Sequence, residues 1–544
     1  MRPTPATRQI RRRQTYRWWL IPRPDRFPRR WSHWIPFTLT VVLLTVFVTA
    51  GVLAGPWLFT RISCRAGPLP TSSIWSQNDE CVGVSDGNYD FGLSAFDQVF
   101  QTVASQNEQA QGKPCRAGAA PVTVGVLVTL SSPNNGGRGL HELEGFAASQ
   151  AEANNSSDCV HPIQLLVGQM GATEQAAEQV AQLLANTPGI VAVVGLGQSN
   201  QRSAEAVQTL AMGHIPMVSD LITAEGFDQN GSRDDNPDFT ACTDDDIFDK
   251  GIGKGFYYRV AYRIATQVQR LSEYLKKADL IITPTTATDP FTCTALPLIH
   301  RKFGSTVHEV RFDPTDPSTV NVAVQQLCDS EQDVTAIYAA RAGDLSSFLN
   351  AIDRRYQDQA CKARSIAVAS ISDASRIRAP EPDSQLENLR AKALASLRNG
   401  KVRLFYTGLA NPDVLKKKNS GIAGFANLWN QFANLQFSQT DLDDGWAINA
   451  YDSLTTVTDT LKYLPAKSRI TPGAINSSIG SFSRGHPVPF AAQGSLTFDN
   501  NGNRDDSDPD SHPLVSQVCP PPANGQPPHS TSVEVYPTEE RCPE

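Results

Sequence analysis

No cysteine precedes residue 64, and no charged residue lies between residues 35 and 59. Also missing are CxxC pairs and histidines at metal-ligand spacing, which leaves a zinc site little support. Catalytic motifs fail one by one. In Gly480-Ser481-Phe482-Ser483-Arg484-Gly485, Ser481 replaces the first glycine of a nucleophile elbow. Gly251-Ile252-Gly253-Lys254-Gly255 lacks the spacing and the hydroxyl of a phosphate-binding loop. His141-Glu142 has no second histidine four residues on, and the nine histidines are scattered. The Asp499–Asp506 stretch lacks the ligand spacing of a calcium loop, and an Asn-Gly hairpin turn explains it better. No sequence period repeats. These absences exclude the common enzyme classes and imply no cofactor and no metal. The net charge of −7 argues against nucleic acid as a partner.

What is present begins with a basic block, Arg2 to Arg30, followed by an apolar run from about Ile35 to Phe59. Ten Leu, Val and Phe residues at its centre favour insertion by roughly 3–6 kcal/mol, at about −0.3 to −0.6 kcal/mol each. The run is long enough for a ~30 Å hydrocarbon core. Trp31 and Trp34 at one end and Trp57 at the other suit the interfacial belts, and the arginines set the N-terminus inside. The expectation is one transmembrane helix over 35–59 after a cytoplasmic tail, 1–34. Val52-Leu53-Ala54 offers the competing reading of a cleaved signal peptide, against which stand the long basic region and the long apolar run. All ten cysteines follow the run; an even number in an oxidising compartment reads as a disulfide set. Both arguments put the bulk of the chain outside the cytoplasm.

Residues 60–119 read as a juxtamembrane region with one helix, on the stripe Phe96, Val99, Phe100 and Val103. Wholly apolar strands then alternate with helices: strands at Val122–Leu130, Ile163–Val167, Ile190–Gly195 and Ile215–Ser219 form a first series. Strands at Leu280–Thr283, Thr306–Arg311, Val334–Ala339 and Ser365–Ser370 form a second. Such alternation means parallel sheets covered on both faces. The expected fold class is α/β, with two doubly wound parallel-sheet lobes and a hinge, preceded by one transmembrane helix. Cys115 and Cys159 each precede adjacent strands at the same end, as do Cys328 and Cys361, so each pair is a candidate disulfide among alternatives. The Pro-rich tail, 516–544, reads as irregular, pinned by Cys519 and Cys542.

Four segments carry a family resemblance: Leu130-Ser131-Ser132-Pro133 after the first strand; Val193-Val194-Gly195 leading to Gln198-Ser199-Asn200; Ile215-Pro216-Met217-Val218-Ser219 leading to Ile222-Thr223-Ala224; and Gly494 to Asn503. With Ala450-Tyr451-Asp452 in a late helix, the chain from about Pro121 to His512 resembles type I periplasmic solute-binding proteins of the leucine/isoleucine/valine-binding subgroup. The resemblance implies a two-lobed solute-binding domain over 120–515, with three crossovers between the lobes. Lobe 1 would be about 120–258 and 404–485, and lobe 2 about 259–403 and 486–515. It implies capture of a small polar, amino-acid-like ligand by lobe closure and delivery to an ABC permease.

The implied ligand contacts are Ser199 and Thr223, which follow strands at the edge where helix N-termini present unpaired N–H groups, with Asp373 completing an ammonium site. Ser131 would face the cleft from lobe 1, and Phe291 and Arg341 from lobe 2. Blander readings stand beside these: Ser199 and Thr223 as helix N-caps, Asp373 as a cap or solvated acid, Arg341 as a surface charge. The chain also departs from the family pattern. The loop Asn134 to Arg138 lacks a covering aromatic, Phe291 stands where tyrosine is common, and Arg341 brings a cation to the cleft. A ligand-sensing co-receptor and a non-binding scaffold of the same fold therefore remain alternatives.

Overall fold

The structure, a computed structural model, describes residues 64, 73–112, 115, 119–131, 138–229, 242, 251–285, 289–381, 383–417, 422–507, 511–521 and 530–543. The expected membrane span, 35–59, lies outside these residues; among the described ones no helix is long and apolar enough to cross a membrane.

Two seven-stranded sheets organise Cys64–Glu544. The first contains β1 (Ile74–Gln77), β2 (Glu80–Ser85), β3 (Val122–Val128), β4 (Ile163–Gln169), β5 (Ile190–Gly195), β6 (Met217–Ser219) and β7 (Tyr257–Arg259), in the order β1-β2-β4-β3-β5-β6-β7. From β4 to β7 every pairing is parallel. The second contains β8 (Leu280–Pro284), β9 (His308–Phe312), β10 (Val334–Tyr338), β11 (Ile366–Ser370), β12 (Val402–Thr407), β13 (Val515–Cys519) and β14 (Thr531–Tyr536), in the order β14-β13-β12-β11-β10-β8-β9. Its pairings from β12 to β9 are parallel. Central strands such as β5 and β11 are buried along their whole length, which is why their sequences carry no polar alternation.

At both outer edges the structure differs from the sequence reading. Residues 73–112, from the stretch read as a juxtamembrane region, are built into the first lobe. β1 and β2 extend its sheet antiparallel through β4, and α1 (Asp97–Gly112) packs its Val99, Phe100 and Val103 into the same core. Nor is the Pro-rich tail irregular throughout, since β13 and β14 add two antiparallel strands to the second sheet.

Helices cover both faces. On the first sheet, α2 (Arg138–Asn155) and α12 (Trp446–Tyr463) bury one face, while α3 (Ala177–Ala185) and α4 (Gln201–Met212) bury the other. α2 and α12 meet backbone to backbone: a Cβ on Gly145 would stand 2.2 Å from the Ala447 carbonyl oxygen. On the second sheet, α5 (Ile264–Leu275) and α6 (Pro290–Phe303) lie on one face, with α7 (Pro317–Cys328), α8 (Leu345–Gln357) and α9 (Ser384–Ser396) on the other. The remaining helices are α10 (Pro412–Lys417), α11 (Ala423–Asn434) and α13 (Pro472–Ile479).

The chain crosses between the sheets three times: from β7 to α5, from β12 by way of α10 to α11, and from the segment after α13 to β13. The third crossing contains the Asp499–Asn503 turn. There Asp499 accepts the Asn501 and Asn503 amides, and Phe498 pairs with Arg504 as an antiparallel bridge. That is a hairpin turn satisfied by its own backbone and the Asp499 carboxylate, and among the described residues no acidic cluster is arranged for a metal. Asn503 then grips the end of β7, accepting from buried Arg259 at 2.6 Å and donating to Asp228 at 2.9 Å.

Five disulfides form: Cys64–Cys81, Cys115–Cys159, Cys242–Cys293, Cys328–Cys361 and Cys519–Cys542. The candidate pairs read from strand placement are among them. Cys242–Cys293 joins the β6–β7 connection of the first lobe to α6 of the second.

Candidate functional site

The carboxyl ends of β5 and β6 face the loops of the second sheet, and the turns there are built to approach closely. Gly195 ends β5 at φ 91°, and a Cβ on it would lie 2.4 Å from the Leu127 carbonyl oxygen. Only glycine fits such a turn without displacing β3. The chain then runs through Ser199 to α4, whose N-cap is Asn200: its Oδ1 accepts from the Ser203 amide at 2.9 Å, while the Ser203 hydroxyl receives the Asn200 amide. Buried Glu174 braces this loop, accepting from the Gln198 amide, Asn200 Nδ2 and the Thr129 hydroxyl.

The helix-cap readings of Ser199 and Thr223 therefore fall. Asn200 caps α4, and no helix follows Thr223 within the described residues up to Gln229. Ser199 instead ties two loops together, its Oγ accepting the backbone N–H groups of Thr223 at 3.0 Å and Ala224 at 3.1 Å. Its acceptor capacity is occupied by the chain itself, leaving one hydroxyl proton to donate. Ser131 is not brought to this point. Its hydroxyl accepts from Gln169 Nε2 at 2.9 Å, and it does not line the space between the lobes.

Across the gap, Asp289 caps α6 and Phe291 is buried in its first turn. Arg341 lies over the Phe291 ring at 4.3 Å and pairs with Asp289 at 2.9 Å. Its Nη2 donates to the Ser199 carbonyl of the other lobe at 2.6 Å. Arg341 is thus a clasp between the lobes rather than a surface charge. Asp373 is neither a helix cap nor a solvated acid: its Oδ2 accepts the Ala342 amide at 2.6 Å and its Oδ1 lies 3.6 Å from Arg138 Nη1. Burial pushes its carboxyl up, but Arg138, Arg341 and the Ala342 N–H together outweigh this and hold it below the usual range.

Arg138 and Trp446 are the residues the sequence reading missed. Arg138 opens α2, is only 3% exposed, and stacks its guanidinium 4.4 Å above the Trp446 ring. Burial lowers its pKa to about 9, helped by Arg376 and opposed by Asp373, so it stays charged at neutral pH. The resemblance assigned Asp373 to a ligand ammonium, and the chain's own guanidinium stands there. The aromatic missing from the 134–138 loop is supplied by Trp446, from the start of α12. Its signal was the Asp443-Asp444-Gly445-Trp446 run, where Gly445 at φ 84° turns the chain into the helix.

One turn deeper, His141 donates toward Asp444 at 2.8 Å and lies 3.6 Å from Asp441. Burial lowers its pKa, but Asp444, Asp441 and Glu144 more than reverse this and raise it to about 9. The space that remains between Thr223, Phe291, Arg341, Asp373 and Trp446 is about 10 Å³, room for no more than one water. Five of the six expected residues converge, and they satisfy one another.

No protein-family profile matches the chain, and no curated protein is similar to it in sequence. Solved structures do resemble it. The branched-chain amino acid transporter substrate-binding protein LivJ from Streptococcus pneumoniae, in complex with isoleucine, superposes with a TM-score of 0.51 at 15% identity, over 76% of this chain and 99% of that one. A possible leucine/isoleucine/valine-binding protein from Rhodopirellula baltica gives 0.51 at 12% identity, over 76% and 96%. An ABC transporter substrate-binding protein from Aeropyrum pernix gives 0.51 at 12%, over 76% and 95%. The fold is that of the type I periplasmic solute-binding proteins. Within that fold, this chain carries a cleft closed by its own Arg138–Asp373 pair and its Arg341–Ser199 clasp.

Proposed function

We propose that the protein is an anchored extracytoplasmic solute-binding protein, not an enzyme, that takes a small polar solute between its lobes and hands it to an ABC-type permease. The observation that carries this reading is the convergence of Ser199, Thr223, Phe291, Arg341 and Asp373, from both lobes, at the carboxyl ends of the strands. Binding there requires the lobes to part, with Arg341 leaving the Ser199 carbonyl; ligand contacts from both lobes then stabilise reclosure. An amino-acid ligand additionally has to replace Arg138 at Asp373 with its ammonium. The charge-free segment 35–59 and the preceding arginines support a single membrane anchor with the N-terminus in the cytoplasm.

The test is a thermal-shift screen of residues 64–544, a compact unit, against amino acids, short peptides, sugars and small anions. A ligand at about 100 times its Kd adds ~2.7 kcal/mol to the folded state and raises the melting temperature. A second reading, a scaffold that keeps the fold without a ligand, draws support from the mutual satisfaction of the cleft groups and the 10 Å³ left between them. A flat screen with folded protein, repeated with Arg138→Met, decides for the scaffold.

A further inference from the structure

Where the chain passes between the lobes lies a cavity of about 670 Å³, well within the ~300–1,000 Å³ of small-molecule sites. All three crossings supply its wall: Tyr262 from the first, Leu409 from the second, Arg504 and Leu514 from the third. Leu409 also borders the interlobe cleft, so the two spaces are separate but share a wall. Apolar side chains, with Val414 and Leu415 among them, line much of it.

Its cations are held in place. Arg504 is 5% exposed and lies 4.0 Å above the Tyr262 ring. Its Nη1 donates to the Val260 carbonyl at 3.1 Å and to Gln493 Oε1 at 2.8 Å, and its Nε reaches the Ser511 hydroxyl at 3.5 Å. Those contacts fix the guanidinium plane and leave Nη2 with no hydrogen-bond partner among the described residues. Arg270, also on the wall, pairs through Nη1 with Glu273 and lies 4.4 Å over Tyr536, while its buried Nε has no hydrogen-bond partner among the described residues. His512 lines the cavity too, as does the acidic Glu534. A buried guanidinium with donors to spare is costly unless an anion meets it.

We propose that this hinge cavity is a second binding site, for a small organic anion: an acid head paired by Arg504, with Arg270 beside it, and an apolar body against Leu409 and Leu514. The site stands independently of any ligand in the interlobe cleft.

The experiment is isothermal titration of the full chain in detergent with 2-naphthoate, after subtraction of the detergent blank, and with neutral 2-naphthamide as the comparison. A charged hydrogen bond contributes roughly ten- to a hundredfold in affinity. One saturable naphthoate site is therefore expected, weaker by about tenfold or more for naphthamide and in Arg504→Gln. Because Arg504 also braces the hinge, Leu514→Trp provides the second variant; it fills the cavity from a half-buried position and is expected to abolish binding. Absence of saturable heat at millimolar naphthoate overturns the proposal. So does naphthamide binding equally well, or naphthoate binding that survives Leu514→Trp in folded protein.

Discussion

Arg138 illustrates how one side chain changes the meaning of another. Asp373 alone would be a buried acid facing a cleft; with a guanidinium 3.6 Å away it is half of an ion pair. Removing one partner of a buried pair typically costs ~3–5 kcal/mol, whereas removing both is often close to neutral. Arg138→Met is therefore expected to lower the unfolding free energy by about 3 kcal/mol, and Arg138→Met with Asp373→Leu to recover most of it, as read by urea denaturation. A double mutant no more stable than the single one would show that the pair is not what holds Asp373. Ser199 gives a second residue-scale prediction. Its hydroxyl accepts two buried amides, so Ser199→Ala leaves both without a partner and is expected to cost ~1–3 kcal/mol for each. That loss appears in the same denaturation experiment with no ligand added.

Among elements, the α2–α12 contact dominates the first lobe. Gly145 allows the two backbones to touch, and even one methyl there would meet the Ala447 carbonyl. Gly145→Ala is expected to destabilise by ~1–3 kcal/mol through separation of the helices, with a melting temperature several degrees lower. The same pair of elements governs the response to pH. His141, with a pKa raised to about 9, contributes stability that is complete below pH 6.5 and lost as pH rises through 9. Glu144, on α2 one turn on, is raised to about 8 by burial and then by Asp441, against the opposing charge of His141. A raised carboxyl favours the folded state when protonated, so its contribution also declines from about pH 4.5 to 8. Asp220, raised to about 7 mainly by burial, acts in the same direction. The melting temperature of residues 64–544 is expected to fall from pH 6 to pH 9, with His141→Gln flattening the upper part of the curve.

Elements were legible in the sequence where burial on both faces leaves an unbroken apolar run, as in β3, β5 and β11. β1 and β13 escaped because their runs, Ile74-Trp75-Ser76-Gln77 and Val515-Ser516-Gln517-Val518-Cys519, carry polar residues; β1 is an edge strand and β13 lies one strand in from the edge. Site residues following those apolar strands, such as Ser199 and Thr223, could be placed by their strands. Arg138 could not, since nothing local to α2 says that Asp373 of the other lobe will face it.

At the scale of the molecule, Arg341 carries one of the shortest polar contacts between the lobes among the described residues. Arg341→Ala removes that donor and the stacking on Phe291, which shifts the balance toward separated lobes. A larger radius of gyration in solution scattering is the expected outcome; an unchanged curve would assign closure to Arg138 and the packing around Trp446 instead.

The Cys242–Cys293 disulfide adds a fourth covalent link between the lobes and closes a ring around the first crossing. In the chain-entropy account, a ring with a separation of 51 residues is worth about 4 kcal/mol. It also gives the molecule redundancy: a protease cutting the first crossing leaves two fragments that remain one object. Such a nicked chain would run as a single species on a non-reducing gel and as two after reduction, so that the hinge tolerates a break that would otherwise divide the protein.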